Sequence, residues 1–83
     1  MIYLERHIDE DNLHRFYAVD INRDLFGTWV LIRRWGRVGR HGGQSLTKSF
    51  ETLSDAVAEQ SALQRTKLKR GYLDGPGQPN LRY

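Results

Sequence analysis

The sequence has no cysteine, two prolines and no apolar run longer than four residues. Without cysteine, neither a disulfide framework nor a thiolate metal site can form, so a hydrophobic core must stabilise the fold. A run of four is far shorter than the roughly 20 apolar residues of a transmembrane helix. Residues 1–11 also lack the basic and apolar segments of a secretory leader. These absences predict a soluble, cytoplasmic protein without a membrane partner.

Acidic residues are absent from the middle of the chain, although the overall charge is modest. The 83 residues are enough for one domain with a small core, and their formal net charge is +3. Residues 1–24 contain six acidic and three basic side chains, whereas residues 25–48 contain five basic side chains and no acidic one. Such an asymmetry is typical of a basic patch on an otherwise ordinary surface.

Alternating apolar residues predict four strands followed by one helix. Period-two patterns occur over residues 2–8, 13–21 and 44–50, and a run of four apolar residues predicts the third strand, over residues 28–37. The period then changes, and Ser54 as the N-cap and Gly71 as the stop delimit a helix over residues 54–70. The predicted fold class is therefore α+β, an antiparallel four- to five-stranded sheet (a meander) with one α-helix packed on one face.

The same patterns predict which surfaces are buried. Residues 29–32 are all apolar, which predicts that both faces of the third strand are covered there. The predicted inner face of the helix is interrupted by Gln60, Gln64 and Lys67, and its apolar members are Leu53, Ala56, Val57, Leu63 and Leu68. The domain is expected to span residues 1–73. The turn-rich residues 74–83 form a tail that ends either in disorder or in a short edge strand.

Tryptophan and arginine dominate the third strand where its apolar run ends. In an extended strand Arg33, Trp35 and Arg37 point to one face, and Arg34 points to the other. No acidic residue lies within ten positions of Arg37, so its guanidinium fork is available to phosphate oxygens. An indole between arginines is suited to a sugar or a base. This strand end therefore predicts a nucleic-acid site.

The string Trp35-Gly36-Arg37-Val38-Gly39, followed by Gly43-Gln44 and Phe50, resembles the signature of the WGR domain, named for its Trp-Gly-Arg triplet. The resemblance covers most of the chain, from a strand pair before the triplet to the helix after it. WGR domains occur in poly(ADP-ribose) polymerases and as small bacterial proteins, and the polymerases use theirs to bind DNA breaks. The resemblance implies that the indole of Trp35 packs against the ribose at a DNA strand end.

Residues around the triplet extend the predicted site. Gly36 leaves room for a ligand to approach the backbone beside the indole. Arg40 in the next turn and Lys48 on the fourth strand could reach phosphate, although solubility explains exposed turn residues equally well. The basic residues within 67–70 are explained by the negative end of the helix dipole. The predicted nucleic-acid-binding residues are Trp35, Gly36, Arg37, Arg33, Arg40 and Lys48.

The sequence offers no catalytic constellation, metal site or cofactor motif. His7, His14 and His41 lack the spacing of metal ligands, and no nucleophile has an evident base. The leading hypothesis is a small non-enzymatic module that binds DNA and prefers strand ends. Any enzymatic role would come from a separate enzyme or protein partner. Two alternatives stay open: an adaptor that docks an acidic protein, and a small ribonuclease that uses His41 with Arg37 or Arg40.

Overall fold

The alternating first half of the chain forms three long antiparallel strands. In the computed structural model, which describes residues 1–40 and 42–75, β1 spans Ile2–Ile8, β2 Leu13–Arg23 and β3 Trp29–Arg37. A single 3-10 turn at Asp9–Asp11 joins β1 to β2. The turn closes at Asn12, whose φ of 50° is a left-handed conformation that asparagine tolerates better than most residues.

The second half of the chain adds both edges of the sheet. Strand β4 (Gln44–Phe50) pairs with β3, helix α1 spans Leu53–Lys69, and β5 (Leu73–Asp74) pairs with β1. The strand order is β4-β3-β2-β1-β5, and every pair is antiparallel. Helix α1 thus carries the chain from one edge of the sheet to the other. The predicted α+β fold is confirmed.

The core lies between the sheet and α1. Leu4 and Val19 are 0% exposed and Leu31 is 1% exposed, and each comes from a different central strand. Tyr17 of β2 and Tyr72, which follows the helix, complete this buried cluster. The cluster occupies one face of the sheet because side chains two residues apart along a strand share a face.

The apolar start of β3 is less buried than its sequence predicts. Leu31 is buried, whereas Trp29, Val30 and Ile32 are half-buried. Val30 and Ile32 alternate with Leu31 and so lie on the face away from α1. The prediction that both faces are covered is therefore wrong. A single helix can cover one face of the sheet, and the residues on the other face are shielded by their strand neighbours.

The N-cap of helix α1 lies two residues before the predicted one. The Oγ1 of Thr52 accepts a hydrogen bond from the backbone N–H of Asp55 at 3.1 Å, which is the N-cap geometry. Ser54, predicted as the cap, lies within the first turn because the helix already begins at Leu53. The predicted stop is confirmed at Gly71, which has a φ of 95° and donates its N–H to the carbonyl of Leu68 at 3.1 Å.

The inner face of α1 differs from the predicted apolar stripe. Ala56 is buried, and Gln60, Leu63 and Lys67 are half-buried at helical spacing. Three predicted members are 43–45% exposed: Leu53, Val57 and Leu68. The residues that interrupt the stripe in the sequence therefore face the sheet. Their long methylene stems cover apolar surface while their polar ends reach water.

The sheet continues past the predicted end of the domain. Strand β5 includes Asp74, and the buried Gly75 donates its N–H to the carbonyl of Tyr3 at 3.1 Å. A boundary after residue 73 thus falls inside this strand. The predicted tail from residue 76 onward lies outside the described residues. Within the described part of the chain, no helix is long and apolar enough to cross a membrane.

Candidate nucleic-acid interface

Trp35 lies at the edge of the core, on the face of the sheet that α1 covers. Its partner in β2 is Tyr17 and its partner in β4 is Gln44. The ring centroids of Trp35 and Tyr17 are 6.4 Å apart with an interplanar angle of 32°. Trp35 is half-buried and packs against the core cluster. Part of this indole therefore supports the fold, and the rest of it is exposed.

Three arginines stand side by side on neighbouring strands next to this tryptophan. Arg6 of β1 is the register partner of Arg15 of β2, which is in turn the partner of Arg37 of β3. Like charges directly opposite each other destabilise a sheet. None of the three is in a salt bridge with any other residue that the structure describes. A row of this kind is suited to binding an anion.

The neighbouring positions of β3 follow the predicted alternation. The register from Arg23 opposite Trp29 to Arg15 opposite Arg37 is unbroken, so β3 has no bulge. The guanidinium carbon of Arg33 lies 5.8 Å from the centre of the Trp35 ring, a cation–π distance. The Nη2 of Arg37 donates a hydrogen bond to the carbonyl of Asn12 at 3.3 Å.

Arg34 lies on the opposite face, as predicted. Its partner in β2 is Ala18, and its side chain is exposed. Its neighbours in β3, Arg33 and Trp35, face α1 instead. Arg34 therefore lies outside the candidate site, and it can serve as a control for the arginines of the same strand that lie inside it.

The C-terminal end of α1 adds two basic residues that face the tryptophan. The Nζ of Lys67 lies 4.7 Å from the centre of the Tyr17 ring and 5.5 Å from that of Tyr72. Burial lowers the pKa of Lys67, and the guanidinium groups of Arg70 and Arg33 lower it further. The ammonium is thus held where its charge is unfavourable. An anion placed beside it would relieve both effects.

Three adjoining cavities of about 300, 320 and 290 Å³ border Trp35. No acidic side chain lines any of them within the described part of the chain. Tyr17, Thr66, Gln44 and the backbone of Gly43 contribute polar atoms. The basic side chains that line the three cavities are Arg6, Arg15, Arg33, Arg37, Arg40, Lys67 and Arg70. The site is uniformly cationic around a single indole.

The hydroxyl of Tyr17 is buried in the wall of one of these cavities. Tyr17 is 2% exposed, and its hydroxyl has no hydrogen-bond partner among the described residues. Burial raises its pKa, although the nearby Arg33 opposes that shift. A buried polar group without a partner is unfavourable. Because the hydroxyl itself is inaccessible, a ligand in the cavity could bond to it only if the surrounding side chains moved.

Gly36 and Gly43 bring β3 and the start of β4 into close contact. A Cβ at Gly36 would lie 3.1 Å from the Cα of Gly43 and 3.3 Å from the ring of Phe16. A Cβ at Gly43, whose φ is 91°, would lie 2.7 Å from the carbonyl oxygen of Trp35. The fold itself thus requires glycine at position 43, and a side chain at position 36 would need Gly43 or Phe16 to shift by a few tenths of an ångström. This requirement is separate from the predicted approach of a ligand to Gly36.

Five of the six predicted site residues lie together, and the sixth lies apart. Lys48 lines none of the three cavities. Its Nζ lies 4.0 Å from a carboxylate oxygen of Glu59 and 5.3 Å from the centre of the Phe50 ring. The five predicted residues that do line the cavities are Trp35, Gly36, Arg37, Arg33 and Arg40. His41, considered for ribonuclease activity, lies outside the described residues.

Four basic residues of the site escaped sequence reasoning: Arg6, Arg15, Lys67 and Arg70. Arg6 and Arg15 lie in an acidic part of the sequence, and they join the site only through the pairing of β1 with β2. The symmetry of that hairpin about its short turn could have revealed them. The two helical residues have an ordinary explanation at a helix C-terminus. No local pattern shows that they also face Trp35.

The family described as the WGR domain matches residues 1–79 of the chain. WGR domains are generally nucleic-acid-binding modules. The chain is also 39% identical over 82 residues to the "Uncharacterized protein y4dW" of Sinorhizobium fredii (strain NBRC 101917 / NGR234). That alignment covers 99% of this chain and 40% of the relative, so the chain spans less than half of the relative's length. No solved structure matches the chain.

Proposed function

The chain belongs to the WGR domain family, and we propose that it binds DNA and prefers strand ends, using the basic cavities around Trp35. The observation that carries this proposal is the row formed by Arg6, Arg15 and Arg37 across three strands. Three adjacent arginines without a carboxylate partner among the described residues destabilise the protein on its own. Phosphate oxygens would supply the missing negative charge, with each guanidinium donating two parallel hydrogen bonds.

Trp35 would bind the sugar that lies between these phosphates. Residues 33, 35 and 37 share a face of β3, and alternate residues of a strand are about 6.6 Å apart. This spacing is comparable with the distance between successive phosphates of one strand. Arg33 and Arg37, about 13 Å apart along the strand, would then contact phosphates two spacings apart, and a ribose between them would pack on the exposed part of the indole. Lys67 and Arg70 would contact the strand from the helix side.

A strand end fits this arrangement better than the interior of a duplex. Inside a duplex each sugar is flanked by neighbours on both sides, whereas at a terminus one face of the last ribose is uncovered. The half-buried Trp35 cannot leave the sheet to reach between stacked base pairs, because its ring packs against Tyr17. The uncovered ribose of a nick or a free end can approach the indole without such a movement.

The experiment is a competition between forms of one plasmid. Labelled linear DNA is displaced by closed-circular, nicked or linearised plasmid, or by single-stranded DNA or RNA, over a series of salt concentrations. We expect nicked and linear DNA to compete better than closed circles. The slope of log affinity against log salt should be about −4.5 if five phosphates are neutralised. Equal competition by closed and linear plasmid would exclude end recognition and leave general phosphate binding.

A pair of variants tests the site itself. Arg37→Gln removes one arginine of the row, and Arg34→Gln removes the same charge from the opposite face of the same strand. Only Arg37→Gln should weaken DNA binding strongly and reduce the salt slope by about 1. Equal losses in the two variants would contradict the assigned face. If wild-type protein bound an acidic protein but no nucleic acid, an adaptor function would replace the proposal.

A further inference from the structure

Two histidines face each other on the side of the sheet away from α1. His7 of β1 is the direct register partner of His14 of β2. Their Nδ1 atoms are 2.7 Å apart, and their ring centroids are 4.9 Å apart at an interplanar angle of 48°. These two nitrogens lie side by side at the surface. The pair takes no part in the candidate nucleic-acid site, whose side chains lie on the other face.

A carboxylate and a tyrosine hold His7 from behind. The Nε2 of His7 lies 2.8 Å from Oε1 of Glu5, whose other oxygen accepts a hydrogen bond from the Tyr3 hydroxyl at 2.7 Å. Glu5 is 7% exposed, so its position is fixed by the fold. A carboxylate can only accept the hydrogen of Nε2. The proton of neutral His7 therefore lies on Nε2, and its unprotonated Nδ1 lies beside Nδ1 of His14.

We propose that His7 and His14 form a two-imidazole binding site for a divalent transition metal of tetragonal geometry, with Cu²⁺ bound most tightly. With metal–nitrogen bonds of about 2.0 Å, a nitrogen separation of 2.7 Å corresponds to an angle of about 85° at the metal. Square-planar and tetragonal Cu²⁺ and Ni²⁺ prefer angles near this value. A tetrahedral zinc site would need the nitrogens about 3.3 Å apart at the same bond length.

The surroundings of the pair fit such an ion. Metal-bound histidines generally donate their second N–H to a carboxylate, and Glu5 already accepts from His7 in this way. The side chain of His7 is 44% exposed, so water can complete the coordination. For a metal to bind, the proton between the two Nδ1 atoms must leave: it moves to Nε2 of a neutral His14, or it is released to water if His14 is already protonated on Nε2. No other ligand from the chain is required.

The spacing of the two histidines in the sequence does not reveal this site. The histidines are seven residues apart, a separation that matches no short metal motif, and the hairpin places them in contact. Among the described residues, no group of three or more His, Cys, Asp or Glu side chains could hold a metal. The proposed site is therefore a surface site with two protein ligands, one from β1 and one from β2. It is not a structural metal centre enclosed by the fold.

The test is a titration of the full chain with Cu²⁺, followed by electron paramagnetic resonance. We expect one ion per chain at substoichiometric metal, a tetragonal spectrum, and hyperfine splitting from two imidazole nitrogens. His7→Gln and His14→Gln should each abolish that spectrum, whereas His41→Gln, which removes the remaining histidine of the sequence, should preserve it. Ni²⁺ and Zn²⁺ should bind more weakly than Cu²⁺.

Two further measurements distinguish a metal site from a pair that is only hydrogen-bonded. Glu5→Gln should lower the Cu²⁺ affinity by about 10–100-fold. DNA binding and thermal unfolding of this variant without metal serve as the control that it is folded. Wild-type protein whose spectrum lacks two-nitrogen coordination would overturn the proposal without any variant. The proposal would also fail if the double variant His7→Gln/His14→Gln bound Cu²⁺ as tightly as the wild type.

Discussion

Lys67 should contribute to DNA binding without contributing to stability, and the substitution Lys67→Met measures both. Methionine keeps the unbranched stem and a similar helix propensity, so the contact with the sheet is retained and the charge is removed. The ammonium lies above the rings of Tyr17 and Tyr72, at 4.7 and 5.5 Å from their centres. Its pKa is lowered by burial and by the charges of Arg70 and Arg33.

The opposing contributions to stability nearly cancel. Removing the charge loses two cation–π contacts of about 0.5–1 kcal/mol each. It also removes the burial of a charge and its repulsion by two arginines, the effects that lower the pKa. We therefore expect the free energy of unfolding to change by about 1 kcal/mol or less in either direction. Because the pKa of Lys67 is lowered, its charge destabilises the folded protein at neutral pH. This destabilisation disappears as pH rises from the lowered pKa to the ordinary value of 10.5.

The expected loss in binding is larger. A hydrogen bond to a charged group contributes about 1.5–3 kcal/mol, which corresponds to about a 10- to 150-fold increase in the Kd for DNA ends. The salt slope should fall by about 0.9 if Lys67 neutralises one phosphate. The measurements are fluorescence anisotropy with an end-labelled duplex at several salt concentrations, and chemical denaturation of the free protein.

Lys69→Met is the matched control for this substitution. Lys69 lies in the same last turn of α1 but is exposed and lines none of the cavities around Trp35. Both variants lose one charge and one favourable interaction with the helix dipole. Lys69→Met should raise the Kd by no more than about fivefold, since an exposed charge contributes about 0–1 kcal/mol. Equal effects of the two substitutions on Kd would refute the assignment of Lys67 to the site.

Two other predictions concern stability. Trp35→Ala should destabilise the protein by about 2 kcal/mol, roughly half the effect at a fully buried site, and by more than Trp29→Ala, because Trp35 packs against the core cluster. Denaturation curves in which Trp29→Ala is the more damaging would contradict this order. Burial and the hydrogen bond to Glu5 raise the pKa of Tyr3 to about 12. The contribution of Tyr3 to the free energy of unfolding is therefore fully present below pH 10 and declines between pH 10 and 12. The stability advantage of the wild type over Tyr3→Phe should shrink across that interval, and a constant difference would refute the raised pKa.

Patterns of three to eight residues were sufficient to predict the elements of the fold. Strand and helix follow from the spacing of apolar residues, and the helix stops just before the predicted glycine because Gly71 adopts a positive φ without a Cβ penalty. The alternation along β3 likewise determined that Arg33, Trp35 and Arg37 share one face. The rotation of α1 could not be predicted this way. Lys67 interrupts an apolar stripe in the sequence, yet its stem packs on two tyrosines.

The sequence by itself determined the family, the local elements and the strand that carries Trp35 and Arg37, because each depends on residues close together in the chain. Only the tertiary structure placed Arg6 and Arg15 beside Arg37 and set His7 against His14, because strand register joins residues that no local pattern relates. It also decided that Trp35 is half-buried. The burial of a side chain depends on the elements that pack against it, and here these are β2 and a helix that lies far away in the sequence.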